Sequence, residues 1–397
     1  MELGRGLILA FGVLLLGQQA LLGQLLTGHS EQYSRTFNST SPTMGSSPEW
    51  KQPTQQPRVG GPDEWENYAA TPIYNVSETE STAWGHPTSI HSCAQGDSEC
   101  SQFWNHRTAW FGDFLYITAR DVDQAYATHV DGPIATAVPV GPTAVVDSSY
   151  QPGFRIGRVH ALDHWSSIRA TYWYYQSDAS DSLNLPGGTG WLRPEVTHPA
   201  TLAADFDKLS ATADYEIDLQ MIDLAYRKVW REACDYSISY AVGVRYGHLE
   251  QDFRSEFTVL GVRTVDTDIK FDGVGPRVGL EGERLLSGGF VAYGQAFGNL
   301  LAGKFSANYA QQSNLAGAEA TAGFDDRRFV PQLELELGLR WQDSCGNFRI
   351  RAGYYVGAWF NIATTPTWID AVQANSITEV DETLIFDGLA IRAEYRF

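Results

Sequence analysis

Few residues in this 397-residue sequence are spaced for chemistry. Of the 9 histidines, His248 stands at the end of a predicted strand with the acids Glu250 and Asp252 close by. A histidine beside a carboxylate can act as a general base, but at a strand end such a pair is usually solvated. The sequence contains no nucleophile elbow, zinc-ligand spacing, phosphate-binding loop or dinucleotide fingerprint. We therefore expect a protein that is not an enzyme and that uses no cofactor or metal.

The 4 cysteines form two pairs of different character. Cys93 and Cys100 lie close together in a polar segment, and in an oxidising compartment we expect them to form a local disulfide. Cys234 and Cys345 each follow a strand that ends near a tryptophan, and each lies in a short turn. A disulfide between them is a weaker hypothesis, because four predicted strands separate the two turns.

Charge and composition restrict the class of protein. The net charge is −19, which argues against nucleic acid as a partner, since phosphates attract a basic surface. Charged residues make up 19% of the chain and aromatic residues 13%, with 38 glycines. The mean hydropathy of −0.25 excludes a bundle of apolar helices. Few charges, many aromatics and many glycines favour β-structure, in water or in lipid.

The N-terminal quarter is predicted to contain an export signal and a disordered segment and no folded domain. Residues 1–23 resemble a cleaved signal peptide, with one arginine, an apolar run over residues 6–17 and small residues after it. An uncleaved membrane anchor is the alternative. Residues 24–106 are rich in Ser, Thr, Pro and Gln and bury too little apolar area to fold, so we expect a disordered segment. The folded domain is then residues 107–397.

From residue 107 onwards the hydrophobic pattern has a period of two. In the clearest run, residues 329–341, Leu333, Leu335 and Leu337 share one face, and Glu334 and Glu336 share the other. Alternate residues of a strand point to opposite faces, so each strand has an apolar and a polar side. Ten such runs occur: 108–120, 153–162, 165–177, 209–230, 236–250, 269–283, 289–305, 327–341, 348–360 and 384–397.

One run changes phase part-way. Its apolar residues are Tyr215, Ile217 and Leu219, and then Ile222 and Leu224. We interpret this change as a β-bulge between Met221 and Ile222.

The connections between the ten runs alternate in length. Long connections cover residues 121–152, 178–208, 251–268, 306–326 and 361–383, and short ones separate the other pairs. Short periplasmic turns and long outer loops are typical of an antiparallel up-and-down transmembrane β-barrel. A secreted β-sandwich would also alternate, but its loops need not sort by end. The predicted fold is therefore all-β: a barrel of about ten strands in the outer membrane of a Gram-negative bacterium.

Four segments resemble a known family. They are residues 110–120 (WFGDFLYITAR), 213–224 (ADYEIDLQMIDL), 271–282 (FDGVGPRVGLEG) and 289–303 (GFVAYGQAFGNLLAG). They are similar to the Legionella-type major outer-membrane, pore-forming β-barrel proteins, over roughly residues 107–397. The resemblance implies an outer-membrane location and passive diffusion of small solutes or ions. The long segment before the barrel is not explained by it.

Charged residues on the polar faces would line the lumen of such a barrel. Rings of fixed charge can select ions, but a barrel of ten strands is narrow, and the same charges could instead form a plug. A structural or adhesive barrel with a charge-plugged, non-conducting lumen is thus the alternative to a pore. Inward glycines, such as Gly243, Gly273 and Gly353, leave room for an opening or for tight curvature. The predicted lining residues are Arg169, Asp214, Glu216, Asp218, Arg245, Arg277, Glu281, Glu334, Glu336, Arg340, Arg349, Arg351, Arg392, Glu394 and Arg396.

The last strand ends in two aromatic residues, Tyr395 and Phe397. By analogy with other outer-membrane barrels, such an ending is what the assembly machinery recognises. The expected partners are therefore the lipid bilayer, that machinery and small solutes or ions, and a homo-oligomer is compatible with the pattern.

Overall fold

A computed structural model describes residues 103–132, 137–185, 190–204, 210–258, 261–378 and 380–397. The predicted signal peptide, the polar segment up to residue 102 and the Cys93–Cys100 pair lie outside these residues. Thirteen strands are β1 Ala109–Arg120, β2 Gln124–Val130, β3 Pro139–Val146, β4 Gln151–Ala161, β5 Ser166–Asn184, β6 Trp191–Pro194, β7 Ser210–Glu232, β8 Tyr236–Thr258, β9 Val262–Leu285, β10 Phe290–Ser313, β11 Gly317–Gln342, β12 Phe348–Ile362 and β13 Glu382–Arg396. A 3-10 helix covers Pro199–Ala204, and one α-helix, α1, covers Thr365–Gln373.

Ten of these strands close into an antiparallel barrel, as the sequence predicted. Their order around the barrel is β1-β13-β12-β11-β10-β9-β8-β7-β5-β4, and β4 pairs with β1. We call one end of the barrel the base; it carries the turns β4–β5, β7–β8, β9–β10 and β11–β12, the start of β1 and the end of β13. No helix in the described part of the chain is long and apolar enough to cross a membrane.

An apolar band surrounds the outside of the barrel, next to the base. Leu224, Val244, Val278 and Leu337 are among its outward side chains, each about half exposed. Such exposure of aliphatic residues in a continuous ring is what a lipid-facing surface requires. Aromatic residues border the band on both sides, as in the aromatic girdles of membrane barrels: Trp110, Trp165, Trp230, Trp341 and Tyr395 near the base, and Tyr116, Tyr150, Tyr246, Phe329 and Tyr354 on the far side.

The apolar face moves from outside to inside where the strands leave this band. In β7, Ile222 and Leu224 point outward, whereas Leu219, Ile217 and Tyr215 point inward and are buried. The pairing of β7 with β5 and β8 is continuous here, and its register shift lies between Val229 and Arg231. The predicted bulge at residues 221–222 is therefore wrong. The strand is regular, and only its surroundings change.

Five strands continue far beyond the apolar band. β7–β11 have 23 to 26 residues, whereas β1, β4, β12 and β13 have 11 to 15. The predicted long loops at 251–268 and 306–326 are thus mostly strand, because their alternation continues with the apolar side turned inward. We call these projecting strand ends, together with the end of β5, the collar: residues 176–184, 210–220, 248–258, 262–272, 302–313 and 317–328.

Connections from the shorter strands pack inside the collar. β2, β3 and β6 form a separate three-stranded sheet, and α1 lies between β12 and β13 in sequence. We call these elements and the 3-10 helix the cap. Tyr126 and Trp368 of the cap are fully buried in the same apolar core as Phe253 and Phe305 of the collar. The Trp368 indole also donates a hydrogen bond to the Asn308 carbonyl (3.2 Å).

Cys234 and Cys345 lie in two of the base turns, as expected. Both are disulfide-bonded.

Candidate functional site

The lumen within the apolar band carries most of the charged residues that the sequence singled out. Because the strands alternate, every second side chain points inward, and in this band the inward positions are polar. Twelve of the predicted lining residues point inward: Arg169, Arg245, Arg277, Glu281, Glu334, Glu336, Arg340, Arg349, Arg351, Arg392, Glu394 and Arg396.

Asp214, Glu216 and Asp218 do not line the lumen. They alternate with the buried Tyr215 and Ile217 and therefore point away from the interior, on the outer wall of the collar. The error has the same origin as the supposed bulge: the polar side of β7 is the inner side in the band and the outer side in the collar.

Five more charged residues point into the lumen than the sequence predicted. They are Asp113, Arg155, Asp223, Arg227 and Glu283. The alternation could have found Asp223 and Arg227, since Ile222, Leu224 and Tyr226 on the same strand point outward. Asp113 also alternates with apolar neighbours, but Phe111 and Leu115 beside it are themselves buried inside.

Arg245 holds one group of charges in the middle of the lumen. Its guanidinium donates to both oxygens of Asp223 (2.5 and 2.7 Å) and forms an ion pair with Glu334. Arg277 pairs with the second oxygen of Glu334 (2.8 Å). The Arg245 side chain is fully buried, so these bonds replace the water that the charge would otherwise need.

Asp113 and Glu336 hold a second group at a similar depth. Asp113 accepts hydrogen bonds from Arg392 (2.8 Å) and Arg155. Arg155 also donates to Glu336 (2.9 Å), whose other oxygen lies 3.3 Å from Arg351. Together with the Arg245 group, four arginines and four carboxylates fill this level, and Arg351 borders it on the base side.

A third group lies nearer the base. Glu281 pairs with Arg169 (2.6 Å) and Arg227 (2.7 Å). Glu283 pairs with Arg340 (2.5 Å).

The chain before β1 closes the base of the lumen. Phe103 is 2% exposed, and its carbonyl accepts a hydrogen bond from Arg349 (2.6 Å). The Asn105 carbonyl accepts one from Arg396, and the His106 ring bonds the Ser167 hydroxyl (2.8 Å). A short segment thus enters the lumen and uses arginines of β12 and β13 as anchors.

Inward glycines do not open the lumen: the backbone of Leu224 and Ala225 occupies the space above Gly243, and aromatic side chains occupy it above three others. A Cβ on Gly279 would overlap the Phe297 ring, one on Gly273 the Phe271 ring, and one on Gly353 the Tyr293 hydroxyl. These glycines are needed for close approach of the rings. Two cavities in the band are small, about 20 Å³ beside Phe297 and about 60 Å³ near the base.

His248 is on the outer wall rather than in the lumen. Its Nδ1 lies 2.8 Å from Asp272, which also accepts a hydrogen bond from Tyr246 (2.7 Å), and its Nε2 lies 3.6 Å from Glu250. These side chains are partly exposed on the outer face of β8 and β9. The arrangement is that of a solvated surface pair.

Three carboxylates of the collar come close enough to hold a cation. Oxygen atoms of Glu250, Asp252 and Asp268 lie within 4.8 Å of one another. Lys270 bonds both Glu250 and Asp268 (2.8 Å each), so its ammonium group already supplies a cation to the cluster.

Comparison with known families identifies the family of this chain. A family model described as Legionella pneumophila major outer membrane protein precursor matches residues 107–397, the whole described barrel. The chain belongs to this family. Its membership and its closed barrel together locate the protein in the bacterial outer membrane, with the apolar band in contact with the lipid bilayer.

Solved structures of outer-membrane proteins match the chain at low identity and with low TM-scores. The outer membrane protease OmpT of Escherichia coli is 11% identical, with a TM-score of 0.37 over 74% of this chain and 97% of that one. A major outer membrane protein of Thermus thermophilus is 13% identical, with a TM-score of 0.29 over 74% and 100%. A FadL homologue of Pseudomonas aeruginosa is 9% identical, with a TM-score of 0.22 over 75% and 92%. No curated protein sequence matches at a significant level.

Proposed function

We propose that this family member is a structural outer-membrane barrel with a closed lumen, which anchors the collar and its cap at the cell surface. The observation that carries the proposal is that ion pairs and aromatic rings cross the lumen throughout the apolar band. In the band, ion pairs join opposite strands, and the chain before β1 closes the base. The cap packs against the inner wall of the collar through a shared apolar core.

Passage of a solute would require this filling to be broken. A buried ion pair that loses one partner leaves an uncompensated charge, which costs about 3–5 kcal/mol. Several pairs share partners at each level, so opening a path would break more than one. A path through the band therefore needs several side chains to move together.

Conductance of the purified, folded protein in planar lipid bilayers tests the proposal. We expect no stable current steps, while a porin of known conductance inserted under the same conditions gives them. Circular dichroism of the same sample must show β-structure, so that the absence of current steps is not explained by unfolded protein. Reproducible current steps from the folded chain would overturn the closed barrel.

A passive pore is the second candidate, and one observation favours it. The sheet of β2, β3 and β6 is not hydrogen-bonded into the barrel as part of its strand ladder. The cap could therefore leave the collar without disrupting the barrel, which would remove the outer closure. Steps in conductance that appear only after replacement of residues 122–149 by a short Gly-Ser turn would support such a gated pore.

The terminal aromatic residues support the proposed role in assembly. Tyr395 and Phe397 are 59% and 62% exposed at the base, with ring centroids 6.4 Å apart. Exposed aromatics there are accessible to an assembly machinery in the periplasm. Removal of Phe397 should reduce the amount of barrel in the outer membrane, measured by fractionation, with a Gly298→Ala variant as the control. Equal membrane levels would contradict this role.

A further inference from the structure

The cavity near the base has far more positive than negative side chains around it. Eight arginines and three glutamates line its volume of about 60 Å³. Arg392 is satisfied by Asp113, and Arg107 faces the exterior of the base. Arg351 shares Glu336 with Arg155, so five arginines then remain against three glutamates. The level above it, by contrast, has equal numbers of both signs.

The excess charge is buried and cannot be removed by deprotonation. The Arg340 and Arg349 side chains are 5% and 10% exposed. A guanidinium group stays protonated in proteins, and an uncompensated buried charge is strongly unfavourable. A neutral cavity filled only with water would leave this repulsion in place.

Several guanidinium nitrogens that line the cavity lack a hydrogen-bond acceptor. Among the described residues, these atoms are Nε and Nη2 of Arg340, Nε of Arg349 and Nε of Arg351. All four are inaccessible to solvent. The glutamates cannot serve them all, because Glu281 is taken by Arg169 and Arg227, and Glu394 lies 3.5–3.6 Å from two arginines. Free donors on three neighbouring side chains therefore face the same space.

Guanidinium groups bind tetrahedral oxyanions through pairs of parallel hydrogen bonds. A space of about 60 Å³ exceeds what one water molecule needs and suits a small inorganic ion. The barrel wall separates the cavity from lipid, and the segment from Phe103 to His106 separates it from the periplasm. A lipid headgroup or a phosphorylated macromolecule therefore has no route to it.

We propose that the cavity between Arg340, Arg349 and Arg351 binds one small inorganic oxyanion, of which phosphate is the test case. The ion supplies the negative charge that this level of the lumen lacks. It accepts hydrogen bonds from the free guanidinium nitrogens and joins β11 to β12 at the base of the barrel.

Isothermal titration calorimetry tests this on the full folded chain in detergent, after exchange into sodium gluconate. Titration with sodium phosphate at constant ionic strength should show saturable binding of one ion per chain, together with a higher thermal unfolding temperature. Further gluconate should have neither effect, since that anion is too large for the cavity. Absence of binding with both phosphate and sulfate would overturn the proposal, and so would a response to chloride alone.

Arg349→Gln and Arg351→Gln are the variants of choice, because neither leaves a carboxylate alone. Glu394 keeps Arg396, and Glu336 keeps Arg155. In gluconate, both variants should unfold at or above the wild-type temperature, because they relieve repulsion. The phosphate concentration that gives half of the maximal stabilisation should then be at least tenfold higher for both variants than for the wild type. Arg254→Gln on the outer wall should behave like the wild type. Unchanged phosphate affinity in both lumen variants would refute the site.

The phosphate-binding experiment and the conductance experiment test separate proposals. Phosphate binding with silent bilayers supports both the site and the closed lumen. Phosphate binding with current steps supports the site alone, and silent bilayers without binding support the closed lumen alone.

Discussion

Arg155 on β4 and Glu336 on β11 meet across the lumen, with 2.9 Å between Nη2 and Oε2. The shorter way around the barrel between these strands passes β1, β13 and β12. Two side chains therefore span the interior, and the lumen is no wider than their combined reach.

Glu336→Gln should destabilise the barrel without creating a conductance. The substitution removes the charge that Arg155 and Arg351 share, and breaking a buried pair in this way costs about 3–5 kcal/mol. Urea unfolding of the protein in lipid vesicles measures the loss. Glu216→Gln, at an outward position on β7, should change stability by less than about 0.5 kcal/mol.

A double variant separates the pair from its surroundings. Arg155→Met with Glu336→Leu removes both charges, so it should cost less than the sum of the two single changes. Additive losses, or a shift in ion selectivity in place of lost stability, would contradict the closed lumen.

Gly273→Ala should show how tightly the interior is packed. The added Cβ would overlap the Phe271 ring, and overpacking of this kind costs about 1–3 kcal/mol. Gly298→Ala is the matched control, because nothing lies within 4 Å of a Cβ there. Unfolding in urea compares the two.

Phe271→Leu should partly rescue Gly273→Ala, because a smaller side chain leaves room for the methyl group. The double variant should therefore be more stable than the sum of the single changes predicts. Equal stability of Gly273→Ala and Gly298→Ala would mean that the space above Gly273 is open.

Arginine substitutions should locate the edge of the lipid. Leu337 is 48% exposed in the apolar band, and arginine near the middle of a bilayer costs about 2–4 kcal/mol in a membrane barrel. Glu216→Arg, on the outer wall of the collar, should cost far less, since that surface meets water. Folding free energies in vesicles distinguish the two positions, and equal costs would show that the band is misplaced.

The ten barrel strands and their order along the chain could be predicted from sequence, because a period of two survives wherever one face differs from the other. The three strands of the cap sheet, β2, β3 and β6, lie in segments that were predicted as loops. Which face is inside could not be predicted locally. Ile222 and Leu219 are both apolar, yet one meets lipid and the other meets the cap. The pattern of a single strand shows that its two faces differ, but it does not show whether each face meets lipid, water or protein.

The partners in the ion pairs could not be predicted from the sequence, for a different reason. The glutamates of β11 and Arg349, Arg351 and Arg392 were predicted to line the lumen, and the structure places them there. Their partners come from strands far apart in sequence, as Asp113 and Arg392 show. Such pairs follow from barrel closure, stagger and side-chain reach, which alternation alone does not determine.

Asp252 on the collar should make stability depend on pH. Burial raises the pKa of its carboxyl group from 3.8 to about 6, and the nearby charges of Glu250 and Asp268 add to this effect. Because the folded state binds the proton more tightly than the unfolded state, stability falls as the pH rises from about 4 to about 6 and is then constant with respect to this group.

Asp252→Asn removes the charge, so the variant should unfold at the same temperature as the wild type near pH 4 and at a higher temperature above pH 6.5. The gain should stay below about 1 kcal/mol, because solvent screens this partly exposed group. Thr258→Ala changes no titratable group and serves as the control for effects of mutating the collar. If the difference between Asp252→Asn and the wild type stays constant from pH 4 to pH 7.5, the carboxyl group of Asp252 does not titrate in this range, and the crowding of acids on the collar has no energetic consequence.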